Sequence, residues 1–357
     1  MNNTLTAAPP VSLPAAPPVK PGHRACWGWV AGLLFAALVV PRIGNDYWFS
    51  AVLVPFLVFA LAGLGLNLLT GYTGQLSVGS AAFMAIGAFA TYNFALRQAW
   101  LPLPVSIALG GLVAALFGVL VGLPSIRIKG FYLIVSTLAA QFFVQWALVK
   151  FGWFSNHNPS GVITAPRLEL FGTDLGSPSG RYLFTLVIVV VLTWVAHNLV
   201  GSATGRRWMA VRDMDTAAAV IGIPVRRVKL QAFAISSFYL GVAGALWAFA
   251  YVGTVEPHGF DLTRSFQILF IIIIGGLGSL GGAFLGASFI VLFPLLLSNL
   301  AAQFLGGLID PANVENAQKI VLGSLIIWLL VKEPEGLARL VTRSWARLPG
   351  RAATPTD

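Results

Sequence analysis

The feature that most constrains this chain is a succession of long apolar stretches. Ten can be marked, at residues 27–43, 51–70, 76–96, 104–123, 131–150, 182–200, 230–252, 266–281, 283–303 and 317–331. A helix needs about 20 predominantly apolar residues to cross the roughly 30 Å hydrocarbon core of a bilayer, and these stretches are of that order. They are too continuous for the alternating strands of a membrane barrel. Composition agrees: 57% of the residues are hydrophobic and 10% charged, where soluble domains carry about 25% charged residues. The expectation is an all-α polytopic membrane protein of about ten transmembrane helices, interrupted by glycine-rich helix breaks.

Charge sets the orientation. With both termini in the cytoplasm, the inner segments hold Lys20, Arg24, Arg127, Lys129, Arg206, Arg207, Arg212, Arg226, Arg227, Lys229, Lys332, Arg339, Arg343, Arg347 and Arg351. That is most of the 22 basic residues, as the positive-inside rule requires. The net charge of +10 is thus read as a mark of the cytoplasmic face rather than of nucleic-acid binding. Residues 1–25 contain Pro9, Pro10, Pro14, Pro17, Pro18 and Pro21 and show no apolar period. They are expected to form a disordered cytoplasmic tail, because proline interrupts any helix there. No small-residue cleavage site follows the first apolar stretch, so a signal peptide is not expected. Residues 26–335 form the transmembrane domain, and 336–357 a basic cytoplasmic tail.

Several chemistries are excluded by what is missing. The lone Cys26 forms no intramolecular disulfide, and the histidines (His23, His157, His197 and His258) have no metal-ligand spacing. His197 reads as an interfacial residue. No Asp or Glu lies within an apolar stretch, although ion-coupled carriers commonly hold such groups in the membrane. None of the lysines follows a glycine, so there is no Walker loop. No acid–base pair or nucleophile set is visible. Energy for pumping would have to come from another subunit.

Two glycine-rich breaks interrupt the apolar material. One runs Gly71-Tyr-Thr-Gly74-Gln-Leu76 and continues through Ser77, Gly79 and Ser80; the other runs Gly275-Gly-Leu-Gly278-Ser-Leu280. Glycine lets helices approach closely, or lets the chain unwind so that backbone groups face a cavity. Paired breaks in two halves of a chain point to a substrate path, and tight packing is the alternative. Asn67, Gly71, Gly74, Gln75, Ser77, Gly79, Gly275 and Gly278 are the candidate path residues.

The segment 201–229 is the most informative polar stretch. It carries six basic residues with Asp213 and Asp215, and within it Asp215-Thr-Ala-Ala-Ala-Val-Ile-Gly222-Ile-Pro224 reads as a short helix. Asp215 suits its start, and Gly222 followed by Pro224 its end. Ala217, Ala218 and Ala219 would let it enter a partner's groove closely; a surface-lying membrane anchor is the alternative.

Gly205-Arg-Arg-Trp-Met-Ala-Val-Arg-Asp213, followed by Ala217-Ala218 and Gly222, resembles the coupling loop of bacterial ABC-importer permeases. More narrowly, the chain resembles the LivM family, the permeases of branched-chain amino acid importers. Gly65-Leu-Asn-Leu-Leu-Thr-Gly-Tyr-Thr-Gly74, Leu123-Pro-Ser-Ile-Arg-Ile-Lys-Gly-Phe-Tyr132, Gly275-Gly-Leu-Gly-Ser-Leu-Gly-Gly282 and Pro334-Glu-Gly-Leu337 carry the likeness, over about residues 50–340. Gly79-Ser80 stands where the family often has a Gly-His pair, and the 151–181 loop is long for it. The resemblance implies a multi-pass protein of the bacterial inner membrane that moves a small solute inward without an ATPase site or a bound cofactor of its own. It implies as partners a second related permease, two cytoplasmic ATPases that hold ATP and Mg, a periplasmic solute-binding protein and membrane lipid. It assigns the ATPase-coupling role to Arg207, Ala210, Arg212, Asp213, Asp215, Ala217, Ala218 and Gly222. An autonomous secondary carrier or channel for a small polar or organic solute is the alternative that the residues leave open.

Overall fold

The computed structural model describes residues 45–304, except 99, 126–130, 159, 160, 167, 168, 171 and 172, together with part of 317–340. The stretch 27–43 and both tails beyond these bounds lie outside the described residues, and the stretch 317–331 is described only in part. The described chain is mostly helical and holds no barrel. Six of its helices are long and apolar enough to cross a membrane: Asp46–Thr73, Leu103–Pro124, Tyr132–Lys150, Pro178–Gly201, Val225–Val252 and Leu280–Leu300.

In chain order the helices are α1 (Val54–Thr73), α2 (Ser80–Arg97), α3 (Leu103–Ser125), α4 (Phe131–Lys150), α5 (Pro178–Gly201), α6 (Ala203–Asp213), α7 (Asp215–Val220), α8 (Val225–Leu246), α9 (Leu262–Gly275) and α10 (Leu280–Phe304). A π-helical turn, Phe49–Leu53, leads into α1, and another, Trp247–Val252, extends α8. Hydropathy does not say which apolar helices are central, but burial does. The most apolar stretches of Asp46–Thr73 and Val225–Val252 are 89% and 83% buried, whereas those of the other four long helices are 28–39% buried. A helix that is apolar all round and also buried all round is a core element. The peripheral helices instead present apolar stripes at four-residue spacing, such as Leu112, Leu116 and Leu120 on α3, and Val187 and Val191 on α5. Such stripes suit lipid or a neighbouring subunit.

Close approach is built from small residues. Where α2 crosses α8, a Cβ on Gly87 would run into the backbone of Gly241, and one on Gly244 into the Met84 carbonyl. Backbones that meet at this distance leave no room for a side chain, the arrangement common between membrane helices.

Two expected spans are corrected. The stretch 76–96 becomes a helix only at Ser80. Gly74, at φ +69, ends α1 in the left-handed region that favours glycine, with its N–H donating to the Thr70 carbonyl at 3.1 Å. Residues 75–79 then run without helical bonds. The stretch 266–281 is likewise a shorter helix, α9, that starts at Leu262 and stops at Gly275. Gly276 and Gly278 both have positive φ, which halts the helix, and α10 resumes at Leu280 rather than at 283. Both glycine-rich breaks are therefore unwound as well as packed.

At the end of the bundle opposite to α6 and α7, two connecting loops are joined by a short antiparallel ladder. There β1 (Ile163–Thr164) pairs with β4 (Thr254–Val255), Ile163 opposite Val255, while β2 (Glu169–Leu170) and β3 (Thr173–Asp174) form a small hairpin within the first loop.

Candidate functional site

The two breaks meet. Asn67, fully buried on α1, donates from Nδ2 to the Ser279 carbonyl at 2.8 Å and accepts the Gly278 N–H on Oδ1 at 2.9 Å. One amide side chain thus satisfies two backbone groups that the unwound chain leaves without helical partners, as buried polar groups require. Gly71 lies at the same point, and a Cβ there would collide with Asn67 Oδ1 and the Gly278 nitrogen. Gly275 packs on the Gly282 carbonyl, and Gly336, at φ +78, would bring a Cβ to 2.5 Å from Gly276 Cα. The Pro334–Leu337 motif therefore sets its glycine directly on the second break.

Arg212 joins this junction to the outside. It stands on α6, which starts at Ser202, whose hydroxyl accepts the Thr204 N–H at 3.1 Å. Its Nη1 donates to the Gly71 carbonyl at 3.0 Å, and its Nε to Asp213 Oδ1 at 2.9 Å. Gly74 and Gly278 both lie against the Arg212 side chain. Residues read from the sequence as two sites, a path (Asn67, Gly71, Gly74, Gly278) and a coupling surface (Arg212, Asp213), thus form one connected cluster.

The remaining candidates divide. Asp215 begins α7, as its position predicts, and pairs with Lys229 of α8 at 3.5 Å. Gly222, at φ +87, closes that helix with no atom within 4 Å of a Cβ. Arg207 and Ala217 are exposed and Ala210 half-buried, but Ala218 turns into this chain and is 2% exposed. It cannot enter a partner's groove in this arrangement. The apolar surface offered at this end comes from Val220 and Ile221, 88% and 74% exposed. Along the first break, Gln75 donates to Thr73 Oγ1 at 3.1 Å and to the Lys229 carbonyl at 3.5 Å. Gly79 lies against the Thr137 carbonyl, and Ser77 is buried.

Sequence reading missed the polar row on α4. Thr137 accepts the Val78 N–H at 3.1 Å. Gln141 accepts the Ala82 N–H at 2.7 Å and the Ser265 hydroxyl at 3.2 Å, and donates to the Phe260 carbonyl at 2.8 Å. Gln145 reaches the same carbonyl at 3.4 Å. Thr137, Gln141 and Gln145 recur every four residues in an otherwise apolar helix, so one face of α4 was legible as polar. Gln141 is near the midpoint of α4, so its bonds hold the first turns of α2 and α9 against the middle of that helix. Among the described residues, no cluster of His, Cys, Asp and Glu could hold a metal ion.

A bundle of membrane-length helices, unwound at two touching breaks that a short polar helix reaches through one arginine, defines a multi-pass membrane protein. The model of the family "Branched-chain amino acid transport system / permease component" matches residues 48–330, and the chain belongs to this family. It is an ABC-transporter permease subunit of the inner membrane, and its ATPase is a separate subunit. It is 31% identical to the high-affinity branched-chain amino acid permease LivM of Escherichia coli, over 90% of this chain and 78% of the relative. It is 30% identical to LivM of Salmonella typhimurium, over 79% of this chain and 68% of the relative. The autoinducer 2 import permease LsrC of Enterobacter is 30% identical over 53% of this chain and 54% of its own. No solved structure matches the chain.

Proposed function

We propose that this chain carries a branched-chain or similar amino acid from periplasm to cytoplasm, paired with a second related permease, two cytoplasmic ATPases that hold ATP and Mg, and a periplasmic solute-binding protein. The likeness to the two LivM permeases supports the solute class. Ten spans with both termini in the cytoplasm complete the topology, supported by the concentration of Arg206, Arg207, Arg226 and Arg227 at the end that carries α6 and α7.

The observation that carries the coupling role is the position of Val220 and Ile221, exposed at 88% and 74% at the end of α7, which Met214 alone separates from the helix that carries Arg212. Large apolar side chains on a soluble surface mark a docking contact. An ATPase that grips α7 moves α6, because only Met214 separates the two helices. Moving α6 pulls Arg212 on the Gly71 carbonyl, beside Gly278 in the second break. Unwound backbone deforms at less cost than helix, so the breaks are where the strain is taken up and the path changes access.

The test is co-purification of the transporter from membranes, comparing the native chain with a Val220→Glu/Ile221→Glu variant. Both positions are open, so the variant folds and fails only at docking. The native chain is expected to bring the ATPases with it and the variant to lose them. Retention of the ATPases by the variant would move the docking surface elsewhere. Gly222→Glu is a poorer probe, since φ +87 strains any side chain whatever its partner.

A further inference from the structure

Arg264 is a charged side chain packed inside the helix bundle. It lies in the first turn of α9, next to Ser265, whose hydroxyl bonds Gln141 near the middle of α4. It also lies beside Phe59, near the middle of the helix Asp46–Thr73, and beside Trp247, in the last turns of the helix Val225–Val252. An ionised group among apolar membrane helices is unfavourable unless it serves a purpose.

Its surroundings hold the guanidinium without neutralising it. Cζ stands 4.1 Å from the Trp247 ring centroid and 5.4 Å from that of Phe59. Nη1 donates to Gln267 Oε1 at 2.9 Å. Asp261, the nearest acid, uses its carboxylate to cap α9 by accepting the Arg264 backbone N–H at 2.9 Å. Among the described residues no carboxylate is within ion-pairing distance of the guanidinium, and Nε has no hydrogen-bond partner. Nη2 donates to no described side chain or carbonyl either. Nε and Nη2 form the edge that matches the two oxygens of a carboxylate. The π turn Trp247–Val252 sets Tyr251 against Trp247 at 4.5 Å between centroids, so the guanidinium lies over one ring of an aromatic pair. π turns are frequent at functional sites.

We propose that the Nε–Nη2 edge of Arg264 receives the carboxylate of the transported solute, with Trp247, Tyr251 and Phe59 beside its apolar side chain. The proposal rests on the amino-acid reading above and deepens it by naming the group that the permease recognises. Guanidinium and carboxylate neutralise each other where neither is otherwise paired, and the ammonium of the amino acid keeps its own charge.

The test uses the complete transporter in proteoliposomes with its binding protein, and leucine and its carboxylate-free analogue leucinol as probes. Uptake and binding-protein-stimulated ATP hydrolysis are measured for the native chain, Arg264→Lys, Arg264→Gln and Arg264→Met. Gln and Met are expected to lower leucine uptake about tenfold or more while stimulated hydrolysis persists; Lys, which keeps the charge without the fork, falls between them and the native chain. Unchanged uptake in the Gln variant would overturn the proposal. So would rescue by Met but not by Lys, which would make Arg264 a packing residue. Native uptake of leucinol as fast as leucine would also sink it, leaving the transporter reading intact. Native ATP-driven turnover that moves no leucine would instead fail the amino-acid reading, and this proposal with it.

Discussion

At the scale of single residues, the junction assigns different work to two neighbours. Asn67 is an internal fastener. Leucine in its place fills similar volume but leaves the half-buried Gly278 N–H and Ser279 carbonyl without their partner. Each such group costs about 1–3 kcal/mol, so Asn67→Leu is expected to lower the melting temperature of the purified protein clearly. Arg212 is half-exposed, and its loss removes one part-buried bond to the Gly71 carbonyl and the exposed Arg212–Asp213 pair. Arg212→Ala is expected to keep the native melting temperature and ATP hydrolysis while transporting less solute per ATP. Equal damage to melting temperature in both variants would show that Arg212 is structural and that the breaks are driven from elsewhere. The sequence marked all these residues, since polar and glycine residues stand out against apolar surroundings. It did not pair them, because the contact from Arg212 to Gly71 spans 141 positions and no periodicity carries it.

At the scale of the element, α7 depends on how it ends. Gly222 has φ +87 and open space around a Cβ, so any effect of substitution there comes from backbone strain rather than collision. A left-handed conformation costs an ordinary L-residue roughly 1–2 kcal/mol, and asparagine tolerates it better. Binding-protein-stimulated ATP hydrolysis should therefore fall in the order Gly222, Gly222→Asn, Gly222→Ala, Gly222→Val. An Asn variant as impaired as Val would mean that the side chain itself obstructs the partner. This helix was legible because its signals are local: an acid at the start and Gly-x-Pro at the end. The start of α2 was not. Residues 75–79 include Leu76 and Val78 and read as a continuation of the apolar stretch, while the partners that hold them unwound, Lys229 and Thr137, lie on other helices. Arg264 escaped for a related reason: it stands just before the stretch 266–281, and only the true start of α9 at Leu262 places it inside the bundle.

At the scale of the whole molecule, everything proposed about coupling depends on which side of the membrane carries α6 and α7. Four exposed arginines, Arg206, Arg207, Arg226 and Arg227, gather at that end, whereas the opposite loops meet in the β1–β4 ladder and in Arg97, stacked 3.8 Å over Trp153. Moving the arginine cluster across a membrane during insertion is unfavourable, which is the basis for proposing that this end faces the cytoplasm. The chain has a single cysteine, Cys26, which makes the arrangement readable by labelling. In a Cys26→Ser background, Val220→Cys should react with a membrane-impermeant maleimide in inverted vesicles and not in intact spheroplasts. Trp153→Cys, at an exposed position beyond the end of α4, should show the opposite pattern. Cys26 in the otherwise native chain should behave like Val220→Cys if the N-terminal tail is cytoplasmic. Labelling of Val220→Cys from the outside would invert the molecule, put α7 out of reach of any ATPase and remove the basis for coupling through Arg212. Labelling of Cys26 alone from the outside would leave the coupling end in place and change the count of spans before α1 from odd to even.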